Sequence, residues 1–293
     1  MPINAEWYRS FYWTAKTGTL SRAAEKLHIT QPAVSHIIKQ LEGALGGPLF
    51  FRSAKGVSLT AEGEVLFRYV EQAFGFMEAG EKRIAEMHNL DSGEIRIGAG
   101  DTLCKHYLMP YLEQFHAQYP LVRIHVTNRT TPETLELLTD GKIDFGIVNL
   151  PADKPRVELR RSLPQQDCLV GGKAYAELAA AGPLRLEELR RFPLIMLEPG
   201  GSMRRYLSGW AAANGAELQP ELELGSVDLL VQFAIRGFGL AFVIRDYIER
   251  ELAAGELFEI PLLPAPPERH IGIATLQGVP QSAAAKRFLA MLP

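Results

Sequence analysis

Residues 19 to 49 read TLSRAAEKLHITQPAVSHIIKQLEGALGGPL and carry the clearest structural pattern in the chain. Apolar residues recur in it with the spacing of two short helices, and Ile29-Thr30 separates them. The small residues Ala23 and Ala24 would let the second helix cross the first closely. The stretch therefore predicts two helices that meet at a tight corner.

The second helix of this corner has two distinct faces. Thr30 can cap its start, and Pro32 falls in its first turn, where the missing N–H of proline costs nothing. The apolar stripe that predicts its buried face is Val34, Ile37, Ile38 and Leu41. The opposite face carries hydrogen-bonding and cationic side chains, those of Gln31, Ser35, His36 and Lys39. Such a row suits base edges and phosphates in a major groove, although the spacing alone fits a corner in any helical domain equally well.

The residue pattern of the corner resembles that of a known family. Between Ala23 and Arg52 the chain reads A-A-x-x-L-x-x-x-Q-P-A-V-S-x-x-I-x-x-L-E-x-x-L-G-x-x-L-F-x-R. This long pattern resembles the N-terminal signature of the LysR-type transcriptional regulators, and weaker similarity extends over essentially the whole chain. The resemblance implies an N-terminal winged helix-turn-helix, a long linker helix and a two-lobed α/β effector-binding domain similar to type II periplasmic binding proteins.

Charge is divided unevenly along the chain. The net charge of −3 by itself argues against a nucleic-acid partner. Residues 1–61, however, hold seven basic and three acidic side chains, giving +4, whereas the remainder holds 24 basic and 31 acidic ones, giving −7. A small basic head on an acidic body is typical of a DNA-binding module fused to another domain. Because the basic excess is modest, we expect tight binding to need two heads.

Composition excludes several classes of protein. No apolar run approaches the ~20 residues of a membrane span, and no secretion signal opens the chain, so we expect a cytoplasmic protein with no membrane partner. Nucleotide-binding, nucleophile and histidine-ligand motifs were not found, and we expect no enzyme activity, cofactor or metal. Cys104 and Cys168 fit no metal or redox spacing, which favours reduced thiols, with a redox role left open.

Segments on both sides of the corner complete the expected head. An aromatic stripe over residues 7–15 favours a core helix over a stacking platform for bases. After the corner, two short β-like pieces predict a hairpin wing, with Arg52 at its base and Lys55 at its tip. The resemblance then implies one set of DNA-binding residues: Thr30, Gln31, Pro32, Ser35, His36, Lys39, Arg52 and Lys55.

A long helix is expected from its cap at Thr60 to about residue 89. Apolar residues recur in it at alternating steps of four and three, the spacing of a coiled-coil seam: Leu66, Val70, Ala73, Met77, Gly80, Ile84 and Met87. The alternative is a helix packed on its own domain, but its length and polar flanks favour pairing with a second copy. We therefore expect a dimer, or the tetramer that is common in the family.

Beyond this helix the pattern alternates between strands and helices. Two β-α series, over residues 95–150 and 168–253, predict parallel sheets with helices on both faces, and a final helix is expected to return to the first lobe. The predicted domains are a DNA-binding head, a linker helix and an effector domain, at 1–61, 62–90 and 91–293. In the two-lobed plan that the resemblance implies, lobe I holds residues 91–163 and 267–293, lobe II holds 164–266, and the ligand cleft lies between them.

Loops that follow the strands supply the expected ligand contacts. Open α/β sheets bind ligands beyond the C-terminal ends of their strands, and helix N-termini attract anions. Three such loops combine a hydroxyl with free backbone N–H groups, and the family places its effector contacts there: Gly100 and Thr102, Thr130 and Thr131, Gly201 and Ser202. Simple helix capping is the alternative for each of them. Asp101 departs from the neutral residue expected in the family and argues against a simple anionic effector.

Two classes of function follow from these patterns. The leading hypothesis is a sequence-specific DNA-binding transcriptional regulator that is controlled by a small-molecule effector. The alternative is a cytoplasmic solute-binding or catalytic α/β protein whose helix-turn-helix serves only for docking. The first hypothesis implies double-stranded DNA, a small effector and further copies of this chain as partners.

Overall fold

The computed structural model describes residues 4–53, 56–88 and 93–293. The chain divides into two compact units, Met1–Ile84 and Ala85–Pro293. Within the described ranges, no helix is both long enough and apolar enough to cross a membrane. The domain bounds stay a prediction, since residues 89–92, where the linker was expected to end, lie outside the described residues.

The first unit consists of helices and one small hairpin. Its helices are α1 (Ala5–Thr17), α2 (Leu20–Leu27), α3 (Gln31–Leu45) and α4 (Ala61–His88), of which α4 begins in this unit. The strands β1 (Phe50–Ser53) and β2 (Gly56–Leu59) pair antiparallel and form the expected wing. The corner between α2 and α3 and the hairpin after it are therefore confirmed.

Threonine side chains start the helices where the sequence predicted. Thr30 Oγ1 accepts the N–H of Ala33 at 3.4 Å at the start of α3. Thr60 Oγ1 accepts the N–H of Gly63 at 3.0 Å at the start of α4. Each hydroxyl satisfies a backbone donor that has no partner within its helix, which fixes the residue at which the helix begins.

The core of the first unit is aromatic. Phe11 and Tyr12 of α1 are buried, and Tyr12 stacks on Phe67 of α4 with ring centroids 5.9 Å apart. Phe11 also packs against Phe50 of the wing at 5.3 Å. The prediction that the aromatic stripe is a core element is confirmed, because these rings are enclosed by the helices and the hairpin.

The packing of helix α4 shows that the predicted coiled-coil seam is partly wrong. Leu66 and Val70 pack against the core of their own unit, where Val70 is 6% exposed, and so they do not face a second copy. The exposed apolar stripe lies beside them: Val65, Tyr69, Ala73, Met77 and Ile84. The spacing of apolar residues along a helix does not show which of two adjacent faces packs on the helix's own unit and which stays exposed. The side chain of Met87 lies outside the described residues.

The second unit contains two five-stranded sheets and their helices. In chain order its strands are β3 (Glu94–Ala99), β4 (Arg123–Asn128), β5 (Phe145–Asn149), β6 (Val157–Gln165), β7 (Asp167–Gly171), β8 (Leu184–Arg185), β9 (Leu194–Leu197), β10 (Leu222–Leu224), β11 (Leu240–Ile244), β12 (Phe258–Ile260), β13 (Leu262–Leu263) and β14 (Arg269–Leu276). Its α-helices are α5 (Asp101–Leu103), α6 (Met109–Gln118), α7 (Thr131–Thr139), α8 (Ala176–Ala180), α9 (Ser202–Ala213), α10 (Val227–Ile235), α11 (Glu249–Ala253) and α12 (Ala283–Leu289). A π-helical turn, Cys104–Leu108, joins α5 to α6.

Both large sheets are mixed. The strands of the first predicted series, β3, β4 and β5, are parallel as expected. In the second series the expectation is corrected, because its first strand, β7, runs antiparallel. The first sheet has the order β4-β3-β5-β14-β6, and the second has the order β10-β9-β11-β7-β12. Strands β14 and β7 run antiparallel to both of their neighbours. Each of them follows a passage of the chain from one sheet to the other, so no helical crossover of the βαβ kind sets its direction.

We call the part built on the first sheet lobe I and the part built on the second sheet lobe II. The chain passes from lobe I to lobe II between Gln165, the last residue of β6, and Asp167, the first of β7. It returns before Arg269, the first residue of β14. Phe288 of α12 packs against Phe115 at 5.1 Å in the core of lobe I, so the predicted return of the last helix is confirmed.

Candidate functional sites

Helix α3 presents a polar face opposite its buried stripe. The residues that face the core are at most 1% exposed: Val34, Ile38 and Leu41. The predicted DNA-facing residues Gln31, His36 and Lys39 are exposed, and Ser35 is half-buried. Ile37, predicted as part of the apolar stripe, is only half-buried. The helix thus separates a core face from an accessible row of hydrogen-bonding and cationic groups.

The wing contacts this polar face through Arg52. Its Nη1 donates to Ser35 Oγ of α3 at 3.1 Å. The start of the wing is held to α3 by Glu42, whose carboxylate accepts the N–H of Leu49 at 2.9 Å. The sequence predicted the wing but not the contact between Arg52 and Ser35. Lys55, predicted at the tip of the wing, lies outside the described residues.

A cleft of about 170 Å³ lies between the two lobes of the second unit. Strand ends and helix starts from both lobes line it. All six predicted effector residues are among the lining residues: Gly100, Thr102, Thr130, Thr131, Gly201 and Ser202. The structure therefore brings the three predicted loops together at one cavity.

Two hydroxyl groups join the lobes inside this cleft. Ser202 Oγ of lobe II donates to Thr131 Oγ1 of lobe I at 3.3 Å. Thr131 Oγ1 also accepts the backbone N–H of Asn149 at 3.1 Å. Because the Thr131 oxygen accepts both contacts, the proton of its own hydroxyl is left to donate to a ligand.

Thr130 has a different environment from Thr131. Its backbone N–H and its hydroxyl both donate to Glu133, at 2.9 and 2.6 Å. These two bonds, the hydroxyl bond first, hold the pKa of the Glu133 carboxyl below its usual value. The bond from the backbone N–H is typical of a capping box at the start of a helix, and the second bond engages the Thr130 hydroxyl at the same point of α7.

Among the described residues, three helices of eight or more residues begin at the cleft. Their N-cap residues Thr130, Gly201 and Ser226 all line it. The N-terminus of a helix carries unpaired N–H groups and a partial positive charge, so the cleft favours a negative group on its ligand. Sequence reasoning missed Ser226, although a serine directly before an apolar helix with Asp228 in its first turn is the signal that marks such a cap.

A buried ion pair lies where the chain crosses between the lobes, a place that we call the hinge. Arg269 Nε and Nη2 bind the two oxygens of Asp167 at 2.5 and 3.0 Å, and the side chains are 2% and 0% exposed. Arg269 Nη1 also donates to Asn149 Oδ1 and to Gln165 Oε1, both at 2.9 Å. Arg269 and Asn149 line the cleft, so this network reaches from the hinge to the ligand cavity.

An aromatic pair extends the network between the lobes. Gln165 Nε2 donates to the hydroxyl of Tyr247 at 2.6 Å, and the Tyr247 ring stacks on His106 of lobe I with centroids 4.2 Å apart. Burial raises the pKa of Tyr247 to about 12. Burial, followed by the charge of Lys105, lowers the pKa of His106 below its ordinary value. Both rings are therefore neutral near pH 7.

The two cysteines are free thiols in different surroundings. Cys168 is buried in β7, and Cys104 is half-buried in the π-helical turn. Burial raises the pKa of both thiols, and the charge of Asp101 adds to the effect at Cys104. A raised pKa leaves little reactive thiolate at neutral pH. Among the residues that the structure describes, no group of three or more His, Cys, Asp or Glu side chains is arranged to hold a metal ion.

These observations define a class of protein. A winged helix-turn-helix with an accessible polar row is joined in one chain to a two-lobed α/β unit with a cleft of ligand size, as in ligand-responsive transcriptional regulators. Residues 5–64 match the bacterial regulatory helix-turn-helix proteins of the lysR family, and residues 88–293 match the LysR substrate binding domain. The chain belongs to the LysR family of DNA-binding transcriptional regulators.

Relatives and solved structures agree with this assignment. The chain is 27% identical over 259 residues to the HTH-type transcriptional regulator BbuR of Bordetella bronchiseptica, covering 87% of this chain and 78% of BbuR. Full-length CbnR, solved in complex with its target DNA, has a TM-score of 0.65 at 19% identity and covers 99% of each chain. The CcmR regulatory domain of Synechocystis PCC6803, solved in complex with 2-PG, has a TM-score of 0.63 at 20% identity, covering 68% of this chain and 95% of that chain. Each structure shares the fold of the part of this chain that it covers.

Proposed function

We propose that α3 and the wing bind an operator in double-stranded DNA, and that a small molecule in the lobe cleft controls this binding. The proposed DNA contacts are Thr30, Gln31, Pro32, Ser35, His36, Lys39, Arg52 and Lys55. The proposed effector contacts are Gly100, Thr102, Thr130, Thr131, Gly201 and Ser202. The observation that carries the proposal is the hydrogen bond between Thr131 and Ser202, which joins the two lobes inside the cleft at 3.3 Å.

Base recognition is assigned to the start of α3. Gln31 is the first residue of this helix and is exposed, and a glutamine amide can form two hydrogen bonds to an adenine edge. Ser35 lies one turn further along the same face. Lys39 and Arg52 carry the positive charges beside these residues, and they bind phosphate groups, which fix the position of the helix on the duplex.

Control by the effector is assigned to the cleft. A ligand shifts the equilibrium between two lobe arrangements only if its affinity differs between them. A ligand that bonds to both Thr131 and Ser202 meets this condition, because those hydroxyls belong to different lobes. Any change that it causes in operator affinity must be matched by an equal effect of the operator on ligand affinity.

Self-association is assigned to the exposed stripe of α4. Tyr69, Met77 and Ile84 are 70%, 57% and 60% exposed, and large apolar side chains in a row on one helix are favourable to bury against a second copy. Two heads also double the positive charge that reaches the DNA. The protein thus acts as a dimer or a tetramer, in the cytoplasm and without catalysis. The names of its relatives are those of transcriptional regulators.

Footprinting on DNA from upstream of the protein's own gene tests this function. Gln31→Glu places a negative charge against the bases and should abolish the specific footprint. Gln40→Glu adds the same charge two and a half turns along α3, on the other side of the helix, and should preserve it. An unchanged footprint and affinity for Gln31→Glu, or no binding of the wild type at low salt, would show that α3 does not read DNA.

A further inference from the structure

The free charges of the cleft point to the chemical class of the effector. Asp101 and Arg129 both line the cleft, and neither has an ion-pair partner within the described part of the chain. Arg269 also lines the cleft, but the buried carboxylate of Asp167 neutralises it. The charge of Arg129 is shared with the Glu133 carboxylate, whose pKa it helps to lower. The ligand therefore meets one negative group without a charged partner, Asp101, on a loop of lobe I.

Asp101 is fixed at one wall of the cleft. Strands β3 and β4 are parallel neighbours, and their last residues, Ala99 and Asn128, lie opposite each other. Asn128 Nδ2 donates to Asp101 Oδ1, which ties the loops after the two strands together. The second carboxylate oxygen of Asp101 accepts no hydrogen bond from any residue that the structure describes, so it can accept one from a ligand.

The other lining groups favour an anion. The three helix N-termini at Thr130, Gly201 and Ser226 present positive ends, and the hydroxyls of Thr131 and Ser202 lie beside them. Arg269 is at most 3% exposed. Four of its five N–H groups donate to described residues, and the fifth has no acceptor among them. A carboxylate on the ligand satisfies these donors.

We infer that the effector is a small zwitterion, an α-amino acid or a close analogue, whose ammonium group binds Asp101 and whose carboxylate binds the hydroxyls and helix N-termini. This inference rests on the function proposed for the cleft. A simple carboxylate leaves Asp101 unpaired beside a second anion, and a simple amine faces three positive helix ends. The cavity of about 170 Å³ suits a molecule of amino-acid size.

A thermal-shift screen of the full-length protein tests the inference. The probes are the twenty protein amino acids, each alone, and for each of them the carboxylic acid that lacks the α-amino group, such as propionate for alanine and glutarate for glutamate. At least one amino acid should raise the unfolding temperature, and its deaminated counterpart at the same concentration should not. Calorimetry then gives the dissociation constant of the amino acid that stabilises the protein.

Variants separate charge recognition from loop packing. Asp101→Asn should weaken binding of that amino acid by at least about tenfold, because a hydrogen bond between two charged groups is lost. Asn128→Ala removes the bond between the two loops but keeps the charge of Asp101, so it should retain the preference for the amino acid over its deaminated counterpart. Asp153→Asn changes an exposed aspartate of lobe I outside the cleft lining and should leave the affinity unchanged.

Several results would overturn the inference. They are stabilisation by no amino acid, equal binding of the deaminated acid, or an unaltered preference in Asp101→Asn. If a carboxylate binds and Thr131→Val weakens it, the cleft remains the effector site and only the zwitterion is wrong. If the ligand that binds is insensitive to both Asp101→Asn and Thr131→Val, the proposed effector site itself is wrong.

Discussion

The guanidinium of Arg269 and the carboxylate of Asp167 form a two-bonded ion pair at the hinge, although the residues are 102 positions apart. Each residue begins the strand that follows a passage between the lobes. The same guanidinium donates to Asn149 and Gln165. These residues end β5 and β6, the two strands on either side of β14. Four strand ends are therefore tied together at one buried point beside the ligand cleft.

Asp167→Asn should strongly destabilise the second unit. The substitution keeps the shape of the side chain but leaves the buried guanidinium without its counter-charge, which in comparable sites costs about 3–5 kcal/mol. Urea denaturation followed by circular dichroism measures the loss. Asp228→Asn breaks the exposed pair between Asp228 and Lys105 and should cost no more than about 1 kcal/mol. Equal losses for the two variants would show that the buried hinge pair contributes no more to stability than the exposed pair does.

The free energy of unfolding of the second unit should decrease as the pH is lowered, because of His106. Burial lowers the pKa of this histidine below its ordinary value of 6.5, so the unfolded chain takes up a proton at a higher pH than the folded chain does. The contribution is complete above the unfolded pKa and is lost as the pH falls through the folded pKa. Denaturation midpoints measured from pH 8 to pH 5 should show a weaker dependence in His106→Phe. His116→Phe, in the exposed part of α6, should keep the dependence of the wild type.

Local signals made much of the fold predictable. Thr30 and Thr60 were recognised as caps because a helix start depends on a few neighbouring residues. Two of the cleft loops were found in the same way, since the ends of the parallel strands β3 and β4 meet at one edge of a sheet. The third loop follows β9 in the other sheet, and the two-lobed plan implied by the family resemblance placed it at the cleft. The ligand contacts of the three loops remain a prediction, and for Thr130 the bonds to Glu133 support the capping alternative.

Contacts between distant residues were not predictable from these signals. Arg269 and Asp167 show no pattern that links them, because their pairing depends on two separate passages of the chain between lobes. Strand β6 was missed because it lies at the edge of its sheet, where one side faces solvent and Pro164 is tolerated. The first half of the seam was misassigned because Leu66 and Val70 have the same spacing whether they face their own core or a second copy.

Met77→Glu should shift the protein toward a monomer. Met77 is 57% exposed on the apolar stripe of α4, and a carboxylate there would be buried without a partner when two copies associate. Sedimentation velocity of the full-length protein measures the change, with Glu78→Gln as the control at the next exposed position of the helix. Val70→Ala should instead destabilise the first unit by about 1–2 kcal/mol and leave the association unaltered. Unchanged association of Met77→Glu would place the contact between copies elsewhere.

Arg52→Ala should weaken binding to every duplex by a similar factor. A phosphate contact carries little sequence information, and losing one should reduce the slope of affinity against salt concentration by about one. Fluorescence anisotropy with the operator and with a scrambled duplex, over a range of salt concentrations, measures both effects. Arg9→Ala removes an exposed arginine of α1 and serves as the control. Loss of affinity for the operator alone would mean that Arg52 contacts bases.

The most direct test of ligand control is an operator titration of the full-length protein with and without the amino acid that stabilises it. Wild type should change its operator affinity or its footprint when the amino acid is present. Thr131→Val should bind the operator normally in its absence but require a several-fold higher concentration for the same change, because one hydrogen bond of about 1 kcal/mol is lost. Operator binding that does not respond to the amino acid, in a protein that the amino acid stabilises, would contradict the claim that the cleft controls DNA binding.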